Sequence, residues 1–66
     1  MSKLQEARKA KGLSQSKLAE TADVSVRVIQ HYEQGFRDIN TAQVITVYKI
    51  SKALGTTIED LLEIEQ

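Results

Sequence analysis

Apolar residues recur every three or four positions along most of the chain, with polar residues between them. This spacing places the apolar side chains on one face of an α-helix, so the pattern predicts an all-α fold. Ser, Thr, Asn and Gly residues interrupt the pattern where one helix would end and the next would be capped. The five predicted helices span residues 3–11, 15–22, 26–34, 41–54 and 58–63.

The second and third predicted helices are separated by a very short turn. Ser14 precedes the second helix as a cap, and Ser25 precedes the third. Asp23, in the turn, tolerates the left-handed backbone conformation better than most residues, and Gly35 is suited to end the third helix. Two short helices joined by so tight a turn cross steeply, which lets the second protrude. The arrangement predicts a helix-turn-helix motif over about residues 15–35.

The third predicted helix has one apolar face and several polar ones. Val26, Ile29 and Tyr32 are spaced three apart and predict a stripe that packs on the rest of the domain. The other faces carry planar or ring side chains that can hydrogen-bond the edge of a base: Arg27, Gln30, His31 and Gln34. A lone histidine such as His31 is more often a solvated or packed residue, and that alternative stays open.

Together with the rest of the chain, these features resemble the lambda-repressor-like family of helix-turn-helix regulators. Five segments in register carry the resemblance: GLSQSKLAE (12–20), VS (24–25), IQHYEQG (29–35), KISKALG (49–55) and IEDLL (58–62). The match covers nearly the whole chain, from about residue 3 to residue 63. The resemblance implies a single five-helix domain over residues 1–66, with the third helix in the major groove of double-stranded DNA.

The resemblance also implies which side chains contact DNA. The positions that read bases in the family are occupied here by Val26, Arg27, Gln30 and His31. The positions that contact the DNA backbone are occupied by Gln15, Lys17, Ser25 and Arg37. Three of these residues have alternatives: Val26 can belong to the apolar stripe, Lys17 can be merely solvated, and the Ser25 hydroxyl can cap the third helix.

Three further positions bear on the fold and its surface. The resemblance implies that Arg8, on the first helix, pairs with Glu33 near the end of the third; the alternative is a solvated surface arginine. Asp23 stands where the family usually has glycine, at an expected cost of roughly 1 kcal/mol. Phe36 stands where the family usually has a basic residue, and the sequence leaves open whether it packs or stays exposed.

The last two helices are predicted to close the core. Residues 40–43 predict a capping box that opens the fourth helix. The residues of that helix expected to pack under the helix-turn-helix are Val44, Val47, Tyr48, Ile50, Ser51 and Leu54. Leu61 and Leu62 are adjacent and point in different directions, so one is expected in the core and the other near the surface. The family commonly dimerises through its last helix, which implies a homodimer interface containing Ile58, Leu61, Leu62 and Ile64.

The composition narrows the functional classes. The formal net charge is zero, but all nine Lys and Arg residues lie within residues 1–52 and four of the nine acids lie within residues 53–66. A basic body with an acidic end suits DNA, with modest non-specific affinity. With no Cys, one His and no Gly-rich phosphate loop, the chain predicts no enzyme, cofactor or metal site. No apolar run approaches a membrane span, and the expected location is cytoplasmic, on the nucleoid.

The leading hypothesis is a sequence-specific transcriptional regulator, of bacterial or phage-like type, that binds double-stranded DNA. It is expected to act as a repressor and as a homodimer on a palindromic operator, with two recognition helices about 34 Å apart. The alternative is a small protein-interaction module, such as an antitoxin or a transcriptional cofactor, that uses Phe36, Ile39 or the C-terminal apolar residues. Salt dependence discriminates between the two, because phosphate contacts weaken steeply with salt.

Overall fold

In the computed structural model, which describes residues 2–64, the chain folds into five α-helices and one 3₁₀ turn. The α-helices are α1 (Lys3–Ala10), α2 (Gln15–Ala22), α3 (Val26–Gln34), α4 (Val44–Leu54) and α5 (Ile58–Leu61), and the 3₁₀ turn spans Ile39–Thr41. No strand is present among these residues. The predicted all-α, five-helix fold is confirmed.

Local capping sets the bounds of the first three helices. The hydroxyls of Ser2, Ser14 and Ser25 each accept a backbone N–H from the first turn of the helix that follows. Gly35 ends α3 with a φ of 81°, in the left-handed region that glycine adopts without steric cost. Because these bonds pair groups that a helix end leaves free, each helix begins and ends within one residue of its predicted bounds.

A single hydrophobic core joins the helices. Each of the five α-helices contributes one fully buried large side chain to it: Leu4, Leu18, Ile29, Ile50 and Leu61. Ala19 and Ala22 are buried on α2, which packs against both α3 and α4. Small side chains at these positions allow the helices to approach closely. α1 packs against α3 and α5, so α3 is held from two sides through its inner face.

The fourth helix begins three residues later than predicted, at Val44. Asp38 caps the preceding 3₁₀ turn, and its Oδ1 accepts the backbone N–H of Asn40 at 2.9 Å. Gln43 occupies the N-cap of α4 without any side-chain cap bond. The capping box predicted over residues 40–43 is therefore wrong. Its first residue, Asn40, uses its side chain in a long-range contact instead.

The buried stripe of α4 is narrower than the helical spacing predicts. The buried residues of this helix are Val47, Ile50, Ser51 and Leu54. Val44 and Tyr48, which were also expected to pack, are 74% and 48% exposed. α4 packs mainly against α2 and α5, and these two side chains lie beyond the edge of that contact. The prediction that they belong to the core is wrong.

The fifth helix is shorter than predicted, because the chain beyond it is bound to a distant loop. Leu62 follows α5 in an extended conformation, with φ −75° and ψ 143°. The Asn40 side chain donates to the Glu63 carbonyl oxygen at 3.1 Å and accepts the Glu63 N–H at 2.8 Å. An α-helix extended to residue 63 would use that N–H internally. The Asn40 contact thus competes with the last turn of α5.

Leu61 fills the core and is fully buried within the protomer. It exposes no surface within the protomer, and its assignment to a homodimer interface stays a prediction. Of the other predicted interface residues, Ile58 and Leu62 are half-buried and Ile64 is exposed. The acidic end lies on the surface at the three acids that the structure describes. Glu65, its last member, lies outside the described residues.

Candidate nucleic-acid interface

The outward face of α3 carries the side chains that were predicted to read bases. At roughly 100° per residue, the five residues of this face fall within an arc of about 140° around the helix axis. The residues on this face are Val26, Arg27, Gln30, His31 and Gln34. Outside that arc, the helix is anchored by Ile29, which is fully buried, and by Glu33, whose side chain is 2% exposed. The helix therefore presents one continuous surface to a ligand while its inner face is fixed.

Arg8 and Glu33 form a buried ion pair that ties α1 to α3. Arg8 Nε donates to Glu33 Oε2 at 2.7 Å and Arg8 Nη2 to Glu33 Oε1 at 3.0 Å, which is the two-pronged geometry favoured by guanidinium and carboxylate. The side chains are only 10% and 2% exposed. Hydrogen bonding to Glu33 raises the pKa of Arg8 above its ordinary value, against the opposing effect of burial. The C-terminal half of α3 is thereby fixed to the domain.

The remaining polar groups of this ion pair are also bonded. Arg8 Nη1 donates to the Leu13 carbonyl oxygen at 2.8 Å, so the guanidinium also fixes the linker between α1 and α2. Gln15 Nε2 donates to Glu33 Oε1 at 3.0 Å. The resemblance assigned Gln15 to the DNA backbone. The structure brings its amide into the ion-pair network, at the start of α2.

His31 and Phe36 lie together at the end of the outward face. Their ring centroids are 5.9 Å apart and the rings are nearly perpendicular, at 76°. The backbone N–H of Phe36 also donates to the His31 carbonyl oxygen at 2.9 Å. Phe36 is 74% exposed, so the choice that the sequence left open is decided in favour of exposure. The edge-to-face contact of the two rings is a relation that the sequence gave no signal to find.

The predicted backbone-contact residues lie on separate segments of the chain: α2, the cap of α3 and the loop after α3. Lys17, on α2, forms an exposed ion pair with Glu20 at 3.3 Å, which leaves its ammonium accessible. The Ser25 hydroxyl caps α3 by accepting the Arg27 N–H at 3.1 Å, so its predicted alternative as a helix cap is the one observed. Arg37, in the loop after α3, is exposed.

The turn between α2 and α3 carries an exposed carboxylate and a strained backbone. Asp23 has a φ of 57°, and it is the only non-glycine residue with positive φ in the described part of the chain. Its side chain is 96% exposed, and its Oδ2 lies 4.0 Å from Lys49 Nζ. An ion pair this exposed contributes little to stability. Asp23 is therefore a site of backbone strain without a compensating contact.

Replacing Asp23 with glycine is expected to raise the free energy of unfolding by about 1 kcal/mol, because glycine adopts positive φ at no steric cost. For a domain of this size that corresponds to a melting temperature about 4–8 °C higher. Thermal unfolding followed by circular dichroism measures the change. Asp23→Asn is the matched control, since Asn also tolerates the left-handed region but removes the charge. If Asn stabilises as much as Gly, the strain explanation fails and charge accounts for the effect.

No three His, Cys, Asp or Glu side chains are grouped to hold a metal ion within residues 2–64. None of the helices in that range is long and apolar enough to cross a membrane. A family model described as helix-turn-helix matches residues 4–61, a span that includes all of α2 to α5 and most of α1. No curated protein and no solved structure gives a significant match to the chain.

Proposed function

The chain belongs to the lambda-repressor-like helix-turn-helix family of DNA-binding transcriptional regulators, and on that premise we propose that it is a repressor that reads a specific operator. It acts in the cytoplasm, on the nucleoid, as a homodimer on a palindromic site. Each protomer places α3 in a major groove. The bound dimer blocks transcription sterically, and no cofactor takes part.

The observation that carries this proposal is the absence of carboxylates from the outward face of α3. The helix contains one acidic residue, Glu33, and its side chain is 2% exposed and paired with Arg8. The outward face is left with Arg27, two glutamine side chains and His31. Such a face meets the negative potential of DNA without repulsion, and its side chains match base edges in the major groove.

Phosphate contacts and base contacts have separate roles in the proposal. Lys17, Arg37 and the start of α2 at Gln15 bind the backbone and set the register of the domain. Arg27 forks onto guanine, and Gln30 pairs with adenine. His31, whose ring contacts that of Phe36, supplies a further contact at the end of the helix. Dimerisation doubles the site, and two recognition helices about 34 Å apart bind successive major grooves.

The direct test is selection of binding sites from a random duplex pool with the purified protein. The enriched duplexes are then titrated at about 50 mM and 200 mM salt, a range over which phosphate-driven binding weakens steeply. A palindromic enriched sequence with strong salt dependence is expected. A folded protein that enriches no sequence would contradict the proposal.

Arg27→Ala is expected to weaken binding to the selected site by about 5- to 150-fold, because a two-pronged arginine–guanine contact contributes about 1–3 kcal/mol of discrimination. The loss should be large on duplexes that contain the guanine contacted by Arg27, and small on duplexes in which that guanine is replaced. Fluorescence anisotropy at fixed salt measures it. Lys9→Ala, which removes an exposed positive charge from α1, is the control. Equal losses in the two variants would mean that Arg27 acts only through charge.

A second candidate function is a protein-interaction module, such as an antitoxin or a transcriptional cofactor. The observation that favours it is the 74% exposure of Phe36. Ile39, also assigned to such a surface from the sequence, is 5% exposed and unavailable to a partner. Partner binding through Phe36 would be insensitive to salt, in contrast to DNA binding.

A further inference from the structure

The ring of Phe36 extends the outward face of α3 beyond the end of the helix. Its side chain is 74% exposed, and its ring centroid lies 5.9 Å from that of His31, which belongs to that face. A single exposed apolar side chain is common on protein surfaces, so the exposure by itself indicates no function. The position of the ring does, because the ring adjoins side chains that are proposed to read bases.

The backbone at the end of α3 fixes where this ring lies. The N–H groups of Phe36 and Arg37 both donate to the His31 carbonyl oxygen, at 2.9 and 3.3 Å, and Gly35 between helix and loop has a φ of 81°. These features are those of a Schellman motif, in which an apolar residue after the glycine packs back on the helix. Here the ring contacts His31 and stays exposed, so the motif places it beside the outward face and not in the core.

The charges next to the ring favour a negatively charged ligand. Arg37 follows Phe36 in the chain and is exposed. The carboxylate nearest in sequence belongs to Asp38, and its Oδ1 accepts the backbone N–H of Asn40 at 2.9 Å. The ring itself is uncharged and forms no ordinary hydrogen bond, so it can bind only an apolar part of such a ligand. Double-stranded DNA offers two apolar groups, the thymine methyl in the major groove and the deoxyribose.

We propose that Phe36 is a DNA-contact residue whose ring packs on the apolar surface of the duplex at the C-terminal end of α3. A thymine methyl, which phenylalanine side chains contact in major grooves, gives the contact specificity for an A·T pair. A deoxyribose gives affinity without specificity. The inference rests on the proposed function, since it requires α3 to lie in the groove. It adds to the contacts derived there a residue that carries neither charge nor hydrogen-bonding groups.

The surroundings of the ring favour DNA over a protein partner. A protein interface buries about 800 Å² on each partner around an apolar centre. The nearest side chains along the chain are those of Gln34 and Arg37, both polar and exposed, and Ile39 in the same loop is 5% exposed. A protein bound over the ring would also cover His31 and compete with DNA for the outward face. A duplex contacts the whole set as one ligand.

The location of Phe36 is tested by adding a charge. Phe36→Lys and Tyr48→Lys each place one ammonium at an exposed aromatic position, the second on α4, which packs mainly on α2 and α5. On the duplex selected by the wild-type protein, Phe36→Lys should steepen the plot of log K against log salt by about 0.9, since one more phosphate is neutralised. Tyr48→Lys should leave the slope unchanged. An unchanged slope in Phe36→Lys would place Phe36 away from the DNA and overturn the proposal.

The apolar contact is tested by truncation, with fluorescence anisotropy on the same duplex at fixed salt. Phe36→Ala should bind about tenfold more weakly, as partial burial of a phenyl ring implies. Its salt slope should equal that of the wild type, because no charge is removed. Tyr48→Ala is the matched control and should bind like the wild type. Both substitutions are at exposed positions, so the melting temperature should change little. If Phe36→Ala folds poorly, Phe36→Lys decides alone.

Replacing the thymines of the selected duplex by uracil, one at a time, removes only a methyl group and identifies what the ring contacts. A replacement that weakens the wild type but not Phe36→Ala assigns the ring to that methyl. A tenfold loss in Phe36→Ala that no replacement reproduces assigns it to a deoxyribose. Both results support the proposal.

A double substitution separates a direct contact from an effect through His31. In a His31→Ala background, a direct contact keeps most of the loss caused by Phe36→Ala. Disappearance of that loss would show that Phe36 acts only through the imidazole, which overturns the proposal.

Failure of this contact is distinct from failure of the proposed function. A wild-type protein that selects a duplex and binds it equally well after Phe36→Ala keeps DNA recognition and removes the contact, which leaves Phe36 to a protein partner. A folded wild-type protein that selects no duplex removes both.

Discussion

Replacing Arg8 with alanine is expected to lower the free energy of unfolding by about 3–5 kcal/mol, the largest effect of any single change considered for this chain. In the unaltered protein the Glu33 side chain is 2% exposed. The substitution leaves its carboxylate without its cation and without two of its hydrogen bonds. It also removes the donor to the Leu13 carbonyl. Most of the cost is the desolvation of an unpaired charge rather than the loss of the contact itself.

Thermal unfolding and urea titration measure this effect. For a domain of this size, 1 kcal/mol shifts the melting temperature by about 4–8 °C, so the expected decrease exceeds 10 °C. Lys9→Ala, at the adjacent exposed position, removes the same unit of charge and should change the melting temperature little. Equal effects of the two substitutions would show that the Arg8–Glu33 pair does not stabilise the fold.

A double substitution separates the two sources of the loss. Replacing Arg8 with methionine and Glu33 with leucine removes both charges and keeps apolar volume in the buried site. Exchanges of this kind in other buried ion pairs are often neutral or stabilising. The double variant is therefore expected to recover most of the stability that Arg8→Ala loses. If it is as unstable as Arg8→Ala, the geometry of the network and not desolvation accounts for the effect.

Leu61→Ala is expected to cost about 2–5 kcal/mol, the range for removing a large aliphatic side chain from a packed core. Leu61 is fully buried and is the residue through which α5 joins the core, so its truncation leaves a cavity that a helix of four residues cannot readily close. The loss should appear in the free energy of unfolding of the monomer, measured by urea titration at low protein concentration.

Leu62→Ala is the matched control for that measurement. The two leucines are adjacent and chemically identical, but Leu62 is half-buried and lies outside α5. It should lose clearly less stability than Leu61→Ala. A larger effect at Leu62, or a Leu61→Ala variant whose stability falls only where the chain associates, would contradict the assignment of Leu61 to the protomer core.

Much of the architecture was predictable because it depends on contacts between neighbours in sequence. A serine cap bonds an N–H two or three residues away, and the left-handed turn at Asp23 depends on the residue type itself. α1, α2 and α3 begin and end near their predicted positions for this reason. The apolar spacing of α3 also separated its buried Ile29 from its outward polar face, although Val26, which the same spacing placed in the packed stripe, is 37% exposed.

The candidate site was predictable only in part. Composition and spacing identified Arg27, Gln30 and His31 as polar residues of one helix. The pairing of Arg8 with Glu33, 25 residues apart, came from the family resemblance and not from any pattern in the chain. The contact of Phe36 with His31 had no sequence signal, because aromatic packing across a helix end depends on the path of the loop.

By itself, the sequence determined the five helices, the turn that joins α2 to α3 and the identity of the outward side chains, since hydrogen bonds within a few residues fix these features. The tertiary structure alone decided where α4 begins, where α5 ends and which apolar residues stay exposed. Asn40 and Glu63 are 23 residues apart, and the two hydrogen bonds between them compete with local capping before α4 and after α5. Burial of Leu61 and exposure of Val44 depend on which helices lie opposite, and helical periodicity carries no information about those neighbours.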